Sequence, residues 1–205
     1  MLLSYNIIGK YDMTDSCQSS EVNMQYSSTI STPLGQILLA CDDIGLTGLW
    51  FEGSKYYGRG LTDCRENDLH PYIIKAKQWL EIYFAGRKPD FQPPLHLNGS
   101  VFESDVWEEI RKVPYGETTT YGNIAGILAD KKGLVRVSAR AVGGAVGRNK
   151  ISIIIPCHRV LGSGKKLVGY AGGLEKKSEL LKLEGHQVSD FRMPGGGKIY
   201  GTVFE

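Results

Sequence analysis

Thr120-Tyr121-Gly122-Asn123-Ile124-Ala125-Gly126-Ile127-Leu128, followed across a polar connector by Ser138-Ala139-Arg140-Ala141-Val142-Gly143-Gly144-Ala145, repeats helical spacing twice in close succession. Tyr121, Ile124, Ala125 and Leu128 share one stripe of the first helix, and Thr120 suits its N-cap. Ala141, Val142 and Ala145 form the inner stripe of the second, with Ser138 as its cap. Two short helices in a basic stretch fit a helix-turn-helix, although the connector Asp130–Val137 exceeds the usual 3–4 residues or so. An αα-hairpin with no nucleic-acid role fits the same spacing. The outer face of the second helix carries Arg140, Gly143, Gly144 and Gly147. Glycine costs about 1 kcal/mol against alanine in a helix interior, so a glycine face calls for something that must come close to the backbone.

Downstream stands Ile151-Ser152-Ile153-Ile154-Ile155-Pro156-Cys157-His158-Arg159. Its apolar half reads as a buried strand, and its polar half places a thiol, an imidazole and a cation where that segment ends. Such a thiol is either a small buried hydrophobe or a nucleophile with a base beside it. In an extended chain neighbouring side chains point to opposite faces, so Cys157 and His158 are not expected to touch unless the backbone bends. Upstream, Val106, Trp107, Ile110 and Val113 predict another helix, stopped by Pro114-Tyr115-Gly116.

The first half of the 205-residue chain has a different texture. Three β-type runs, Met24 to Ile30, Gln36 to Cys41 and Leu46 to Phe51, are separated by the turns Thr32-Pro33-Leu34-Gly35 and Asp42-Asp43-Ile44-Gly45, which predicts an antiparallel meander. Gly53 to Asn67 reads as a loop. Ile73, Ile74, Leu80, Tyr83 and Phe84 then fall on one side of a helix ended by Gly86. Lys88 to Ser100, rich in proline, is the expected linker to the helical half.

Charge is uneven along the chain. Residues 1–97 hold 8 basic against 11 acidic residues, and residues 98–205 hold 16 against 11. Between Lys131 and Lys166 there are nine basic residues and no acid, which suits either a solvated face or a polyanion partner. No apolar stretch approaches the roughly 20 residues that span a bilayer, and no signal peptide is recognisable. The four cysteines, Cys17, Cys41, Cys64 and Cys157, are scattered, which points to reduced thiols in the cytoplasm.

Taken together, Ile155-Pro156-Cys157-His158-Arg159-Val160, Ser138 to Ala145, Asn149, Pro114 to Tyr121, and Gly169-Tyr170-Ala171-Gly172-Gly173-Leu174 with Leu181 to Gly185 resemble the O6-alkylguanine-DNA alkyltransferases, in order and over roughly Phe102 to Gly185. The resemblance implies an α/β (α+β) protein. A small N-terminal antiparallel sheet with a helix, ribonuclease H-like, occupies residues 23–97, and a helical, winged-helix-like DNA-binding and alkyl-transfer domain occupies 98–186. Residues 1–22 would be an extension and 187–205 a tail. It also implies repair of double-stranded DNA that contains O6-alkylguanine. The base is flipped out and its alkyl group passes irreversibly to Cys157, by a monomer, without cofactor.

By the same resemblance His158 is the base, acting through a water, Glu184 orients it, and Asn149 braces the turn. Tyr121 meets the 3′ phosphate and gives the leaving guanine a proton. Arg140 fills the vacated stack, and Ser138, Ala139, Gly143 and Arg148 complete the DNA surface. Tyr170, Ala171 and Val160 line the base pocket, with Ala171 where some members carry a serine. Cys41 and His96 match two ligands of a zinc site found in some members, but the other two lack counterparts, so no metal is expected. The competing functions are a damage-binding or alkylation-sensing DNA regulator and a cysteine hydrolase. Damage-binding relatives lack the cysteine, and a hydrolase would need a second motif-borne histidine.

Overall fold

The computed structural model describes residues 24–192; the N-terminal extension, Cys17 and the end of the tail lie outside the described residues. Strands β1 (Gln25–Thr32), β2 (Gly35–Cys41) and β3 (Leu46–Phe51) form the expected antiparallel meander. Gly35, at φ +103°, closes the first hairpin in a conformation that other residues rarely adopt. A fourth strand, β4 (Cys64–Glu66), pairs parallel to β1 inside the stretch expected to be loop, giving the order β3-β2-β1-β4. It is three polar, exposed residues long, so no apolar alternation announces it.

Helix α1 (Pro71–Phe84) lies on this sheet through Ile73, Ala76, Trp79, Leu80 and Tyr83. Ile74, expected on the inner side, is exposed instead, because the buried stripe follows Ile73 at steps of three and four.

The chain from Ala85 to Ser100 does not hang free. Leu46 N–H donates to Pro94 O at 2.8 Å and His96 N–H to Leu46 O at 2.9 Å, so this linker extends the outer edge of β3. A Cβ on Gly45 would stand 2.9 Å from Pro94 O, which is why the turn before β3 takes glycine there.

Helix α2 (Val101–Arg111) begins with a reciprocal capping box between Ser100 and Glu103. It packs with α3 (Tyr121–Lys132) and α4 (Ala139–Gly147), and the Trp107 indole N–H is anchored on Ala145 O at 3.0 Å. Thr120 caps α3 through Asn123 N–H, and Gly133 ends it at φ +61°. The connector is therefore residues 133–138, shorter than the sequence suggests. Ser138 stands at the N-cap of α4 but makes no side-chain cap bond, and Ala141, expected inside, is exposed, with Val142, Ala145 and Val146 buried.

Two short parallel strands, β5 (Thr119–Thr120) and β6 (Val160–Leu161), tie the start of α3 to the segment after Cys157. Helix α5 (Leu174–Leu183) follows, capped by Glu184. The tail's first residues fold back: Phe191 is buried against Leu161, Leu167 and Leu181, and Leu167 N–H donates to Arg192 O. One apolar core runs through both halves, from Ile37 and Leu49 to Val142 and Leu180.

Candidate active site

The stretch Ile151–Ile155 is buried as its composition demands, but it is a tight sequence of turns rather than a strand. Leu49 N–H donates to Lys150 O and Ser152 N–H to Leu49 O, hanging its start on β3. The chain then folds on itself. Ile154 N–H reaches Ser152 O across Ile153, which sits at φ +67°, a costly place for a β-branched side chain. Cys157 N–H reaches Ile155 O across Pro156, and Cys157–Arg159 is a single 3₁₀ turn. The backbone therefore bends at the thiol, and the extended geometry expected for Cys157 and His158 does not hold; the two side chains nonetheless share no hydrogen bond.

Asn149 explains how so many turns stay fixed. Its carbonyl accepts from Ile151 N–H at 3.0 Å, and its amide faces Ile155 O at 2.9 Å, Ile151 O at 3.3 Å and Cys157 Sγ at 3.1 Å. One buried side chain thus closes the turn and aims a donor at sulfur.

His158, Arg159 and Tyr83 converge on Glu184. Its carboxylate receives His158 Nε2 at 2.8 Å, Tyr83 Oη at 2.8 Å, Arg159 Nε at 2.8 Å, Arg159 Nη2 at 2.9 Å and Gly116 N–H at 3.2 Å. Burial alone would push this carboxyl up, but His158, by its hydrogen bond and by its charge whenever it is protonated, and then Arg159, by hydrogen bond and permanent charge, hold it well below the usual carboxylate range. An ionised carboxylate only accepts, so Nε2 of a neutral His158 carries the proton and Nδ1 keeps the lone pair. Nδ1 has no hydrogen-bond partner among the described residues. Glu179, one turn earlier on α5, pairs with Lys182 instead.

Burial pushes the Cys157 thiol up, against the Asn149 hydrogen bond, the charge of Lys177 and nearby backbone amides. The resting cysteine is therefore a protonated, shielded thiol that becomes a nucleophile only by losing its proton to a neighbour. Burial lowers the pKa of His158 even though Glu184 opposes this, so the ring is neutral at neutral pH. The sign follows. The unfolded chain binds a proton at an ordinary imidazole value of 6.5 that the folded site resists, so stability is full above that pH and is lost below it; Glu184 adds a loss in the same direction below 4.5. Reactivity of Cys157 that depends on a neutral His158 is expected to fall only below pH 6.5, with unfolding following at lower pH. A rate–pH profile and acid melts check this; an acid limb above 6.5 would contradict it.

Three contributors escaped the sequence analysis as site residues. Tyr83 and Arg159 clamp Glu184. Lys177 is fully buried, its ammonium donating to Val160 O at 2.6 Å, Val168 O at 2.7 Å and Gly169 O at 3.3 Å, and burial pulls its pKa down to about 8. The signal was available: Lys177, Leu180, Leu181 and Glu184 share one stripe of α5, and a lysine in an apolar stripe needs a buried partner.

Beside this centre lies a cavity of about 300 Å³ lined by Tyr121, Gly143, Arg148, Tyr170 and Ala171, joined by Lys55 and Tyr56 from the sheet half. Tyr121 donates to Val168 O at 3.3 Å, and burial, followed by the negative charge Cys157 carries once ionised, pushes its phenol up to about 12, so it keeps its proton. Tyr170 is pushed up by the same two causes, and Val160 is buried behind the site. Arg140 stands exposed at a second opening of α4, with Ala139 and Gly143 beside it and no acidic partner among the described residues. A Cβ at Gly147 would meet nothing within 4 Å, so the folded chain itself does not require that glycine.

The basic run is partly spent inside the protein. Arg159 is buried on Glu184, Lys131 pairs with Glu109, Lys132 with Asp105 at 2.5 Å, and Arg148 with Glu103, leaving Arg136, Arg140, Lys150, Lys165 and Lys166 without acidic partners among the described residues. Cys41 and His96 share no site. Cys41 faces His70 Nδ1 at 3.1 Å, with burial and then Asp42 and Asp43 pushing its thiol up to about 12, while His96 pairs with Asp42. Among the described residues no group of three or more His, Cys, Asp or Glu is placed to hold a metal ion. No helix there is long and apolar enough to cross a membrane.

Two family models match the chain: the ribonuclease-like domain of 6-O-methylguanine DNA methyltransferase over residues 25–97 and its DNA binding domain over residues 101–186. A methylated-DNA–protein-cysteine methyltransferase of Methanosarcina acetivorans is 42% identical over 160 residues, covering 78% of this chain and 98% of the relative. One of the same name from Mycobacterium bovis is 49% identical over 161 residues, covering 78% and 93%. Among solved structures, Mycobacterium tuberculosis OGT in complex with DNA superposes with a TM-score of 0.67 at 39% identity, covering 78% of this chain and 92% of that one.

Proposed function

Because the chain belongs to the 6-O-methylguanine DNA methyltransferase family, we propose that it repairs DNA by moving the alkyl group of O6-alkylguanine onto Cys157, once per molecule. The observation that carries the assignment to Cys157 is the buried line from sulfur through Asn149 on one side and, across the turn, from a neutral His158 to Glu184. The thiol proton leaves for His158 Nδ1, whose basicity Glu184 sustains. Since the side chains share no hydrogen bond, a water carries it. Sulfur then attacks the alkyl carbon, the carbon–O6 bond breaks with its electron pair going to guanine, Tyr121 gives its proton to the departing base, and the proton held on His158 returns through solvent to the Tyr121 phenolate. An alkyl group and a proton change places, so the step balances without oxidant, metal or cofactor.

DNA is the partner. Double-stranded DNA would lie along α4, whose exposed Ser138, Ala139 and Arg140 face outward while Gly143 and Gly147 leave its backbone bare toward the cavity. The base-pocket role falls to Tyr170, Ala171 and Tyr121, with Val160 behind. We place this chemistry in the cytoplasm, in a monomer, on the strength of the scattered thiols and the one-shot reaction.

The experiment is direct: mix the protein with a duplex containing one O6-methylguanine, then weigh and peptide-map it. One methyl per chain on Cys157 is expected; methylation elsewhere, or repeated turnover, would overturn the assignment. Arg140→Ala should slow capture from the duplex on the order of 10-fold while sparing a free O6-alkylguanine base, because only the duplex has a stack to hold open. Equal losses on both substrates would remove Arg140 from that role.

A further inference from the structure

The cavity beside Cys157 has one wall that the helical half does not supply. Lys55 and Tyr56, from the loop after β3, line it together with Tyr170 and Ala171. The loop is fastened there, for Lys55 N–H donates to Ala171 O at 2.9 Å, and it is closed internally by Tyr57 N–H on Ser54 O and Arg59 N–H on Tyr56 O.

Tyr56 holds φ +71°, the left-handed region. Gly53, Gly58 and Gly60 in the same loop also have positive φ, where glycine bears it freely; at position 56 a bulky ring is kept against its conformational preference. Strain of this kind persists where the side chain does something its backbone does not favour. Tyr56 is exposed, at 36%, and two cations stand over its ring, Lys55 Nζ at 5.0 Å and Arg59 Cζ at 5.2 Å from the centroid. An aromatic ring carrying two flexible, exposed cations, at the rim of a base-sized cavity, offers a face for an unstacked purine and charges for its phosphate.

We propose that Tyr56 is a substrate-contacting residue, its ring stacking on the extruded alkylguanine as the outer wall of the pocket, with the long side chains of Lys55 and Arg59 exchanging the ring for the neighbouring phosphates as the base arrives. This rests on the alkyl-transfer reading above. It makes the sheet half a participant in recognition, and it makes the loop 53–61 a determinant of which adducts fit.

The test compares the full-length wild type with Tyr56→Gly, Tyr56→Phe and Tyr57→Ala. Three quantities are read: the rate of Cys157 methylation from an O6-methylguanine duplex, the affinity for the same duplex unmodified, and the unfolding midpoint. Tyr56→Gly should lower the methylation rate on the order of 10-fold, leave affinity for unmodified DNA unchanged, and leave the midpoint equal or higher, since glycine relieves the strain. Tyr56→Phe and Tyr57→Ala should match the wild type. A rate loss matched by a loss of unmodified-DNA affinity would make Tyr56 a backbone contact, a lowered midpoint would make it structural, and an unchanged rate would leave it idle; each overturns the proposal. A wild type that gains no methyl on Cys157 would overturn the alkyl-transfer reading itself, a result distinct from all of these.

Discussion

Replacing Glu184 with alanine is expected to cost about 3–5 kcal/mol of folding stability, a large share of the 5–15 kcal/mol or so that holds a domain of ordinary size. The carboxylate stands at the meeting point of Arg159, His158, Tyr83 and Gly116 N–H, all held away from solvent. Alanine strands a guanidinium that is only 9% exposed, with Val113 O as its remaining acceptor. Glu184→Gln separates charge from shape. It can still accept from Arg159 and Tyr83, so part of the stability should return, but an amide no longer dictates the His158 tautomer or stabilises the ring once protonated. Capture of the alkyl group should then fall about 100-fold or more. Denaturant melts and single-turnover rates read both effects. A Glu184→Ala protein as stable as the wild type, or a Glu184→Gln protein that reacts normally, would show that the cluster is ornamental.

Cys157→Ala should abolish alkyl uptake altogether while leaving the fold and the affinity for duplex DNA intact. The substitution removes one small buried group and frees one of three acceptors of the Asn149 amide, which keeps Ile155 O and Ile151 O. Loss of a single sulfur from a packed turn costs about 1–2 kcal/mol at most. Uptake of a methyl group by the alanine variant would move the reaction to another cysteine, with exposed Cys64 the first to inspect. Loss of DNA affinity together with uptake would mean that the turn itself, and not the thiol, had been lost.

The parts of the site legible in the sequence were those marked by unusual local chemistry. Cys157 next to His158 and a glycine-faced helix with one arginine each depart from what packing alone would choose, whereas Glu184, which on its own reads as a surface glutamate, was singled out by the family resemblance. Tyr83 and Lys177 departed less. A tyrosine on an apolar stripe looks like core until Glu184, 101 residues on, arrives to receive it, and Lys177, for all that it shares a stripe with Leu180 and Leu181, looks like surface between Lys176 and Ser178. The reading of Ile151–Ile155 as a strand shows a different limit. Apolar composition reports burial, whereas the γ-turn at Ile153 and the 3₁₀ turn at Cys157 depend on the hydrogen bonds of Asn149 and on the neighbouring edge of β3. In the sheet half, turn chemistry made the meander legible, and the exposed polar strand β4 had no pattern to show.

The edge of β3 has a last consequence, for the order in which the protein comes into being. Leu46 holds the linker and Leu49 holds the start of the site turn, although Leu49 and Ile151 are roughly 100 residues apart in the chain. A ribosome therefore finishes the sheet long before the segment that needs it exists, and α5 with Glu184 emerges later still. Asn149 and His158 are made with the thiol, but until that helix docks the imidazole lacks Glu184 and the turn lacks Lys177, so a chain ended before it carries a cysteine and a base with nothing to orient them.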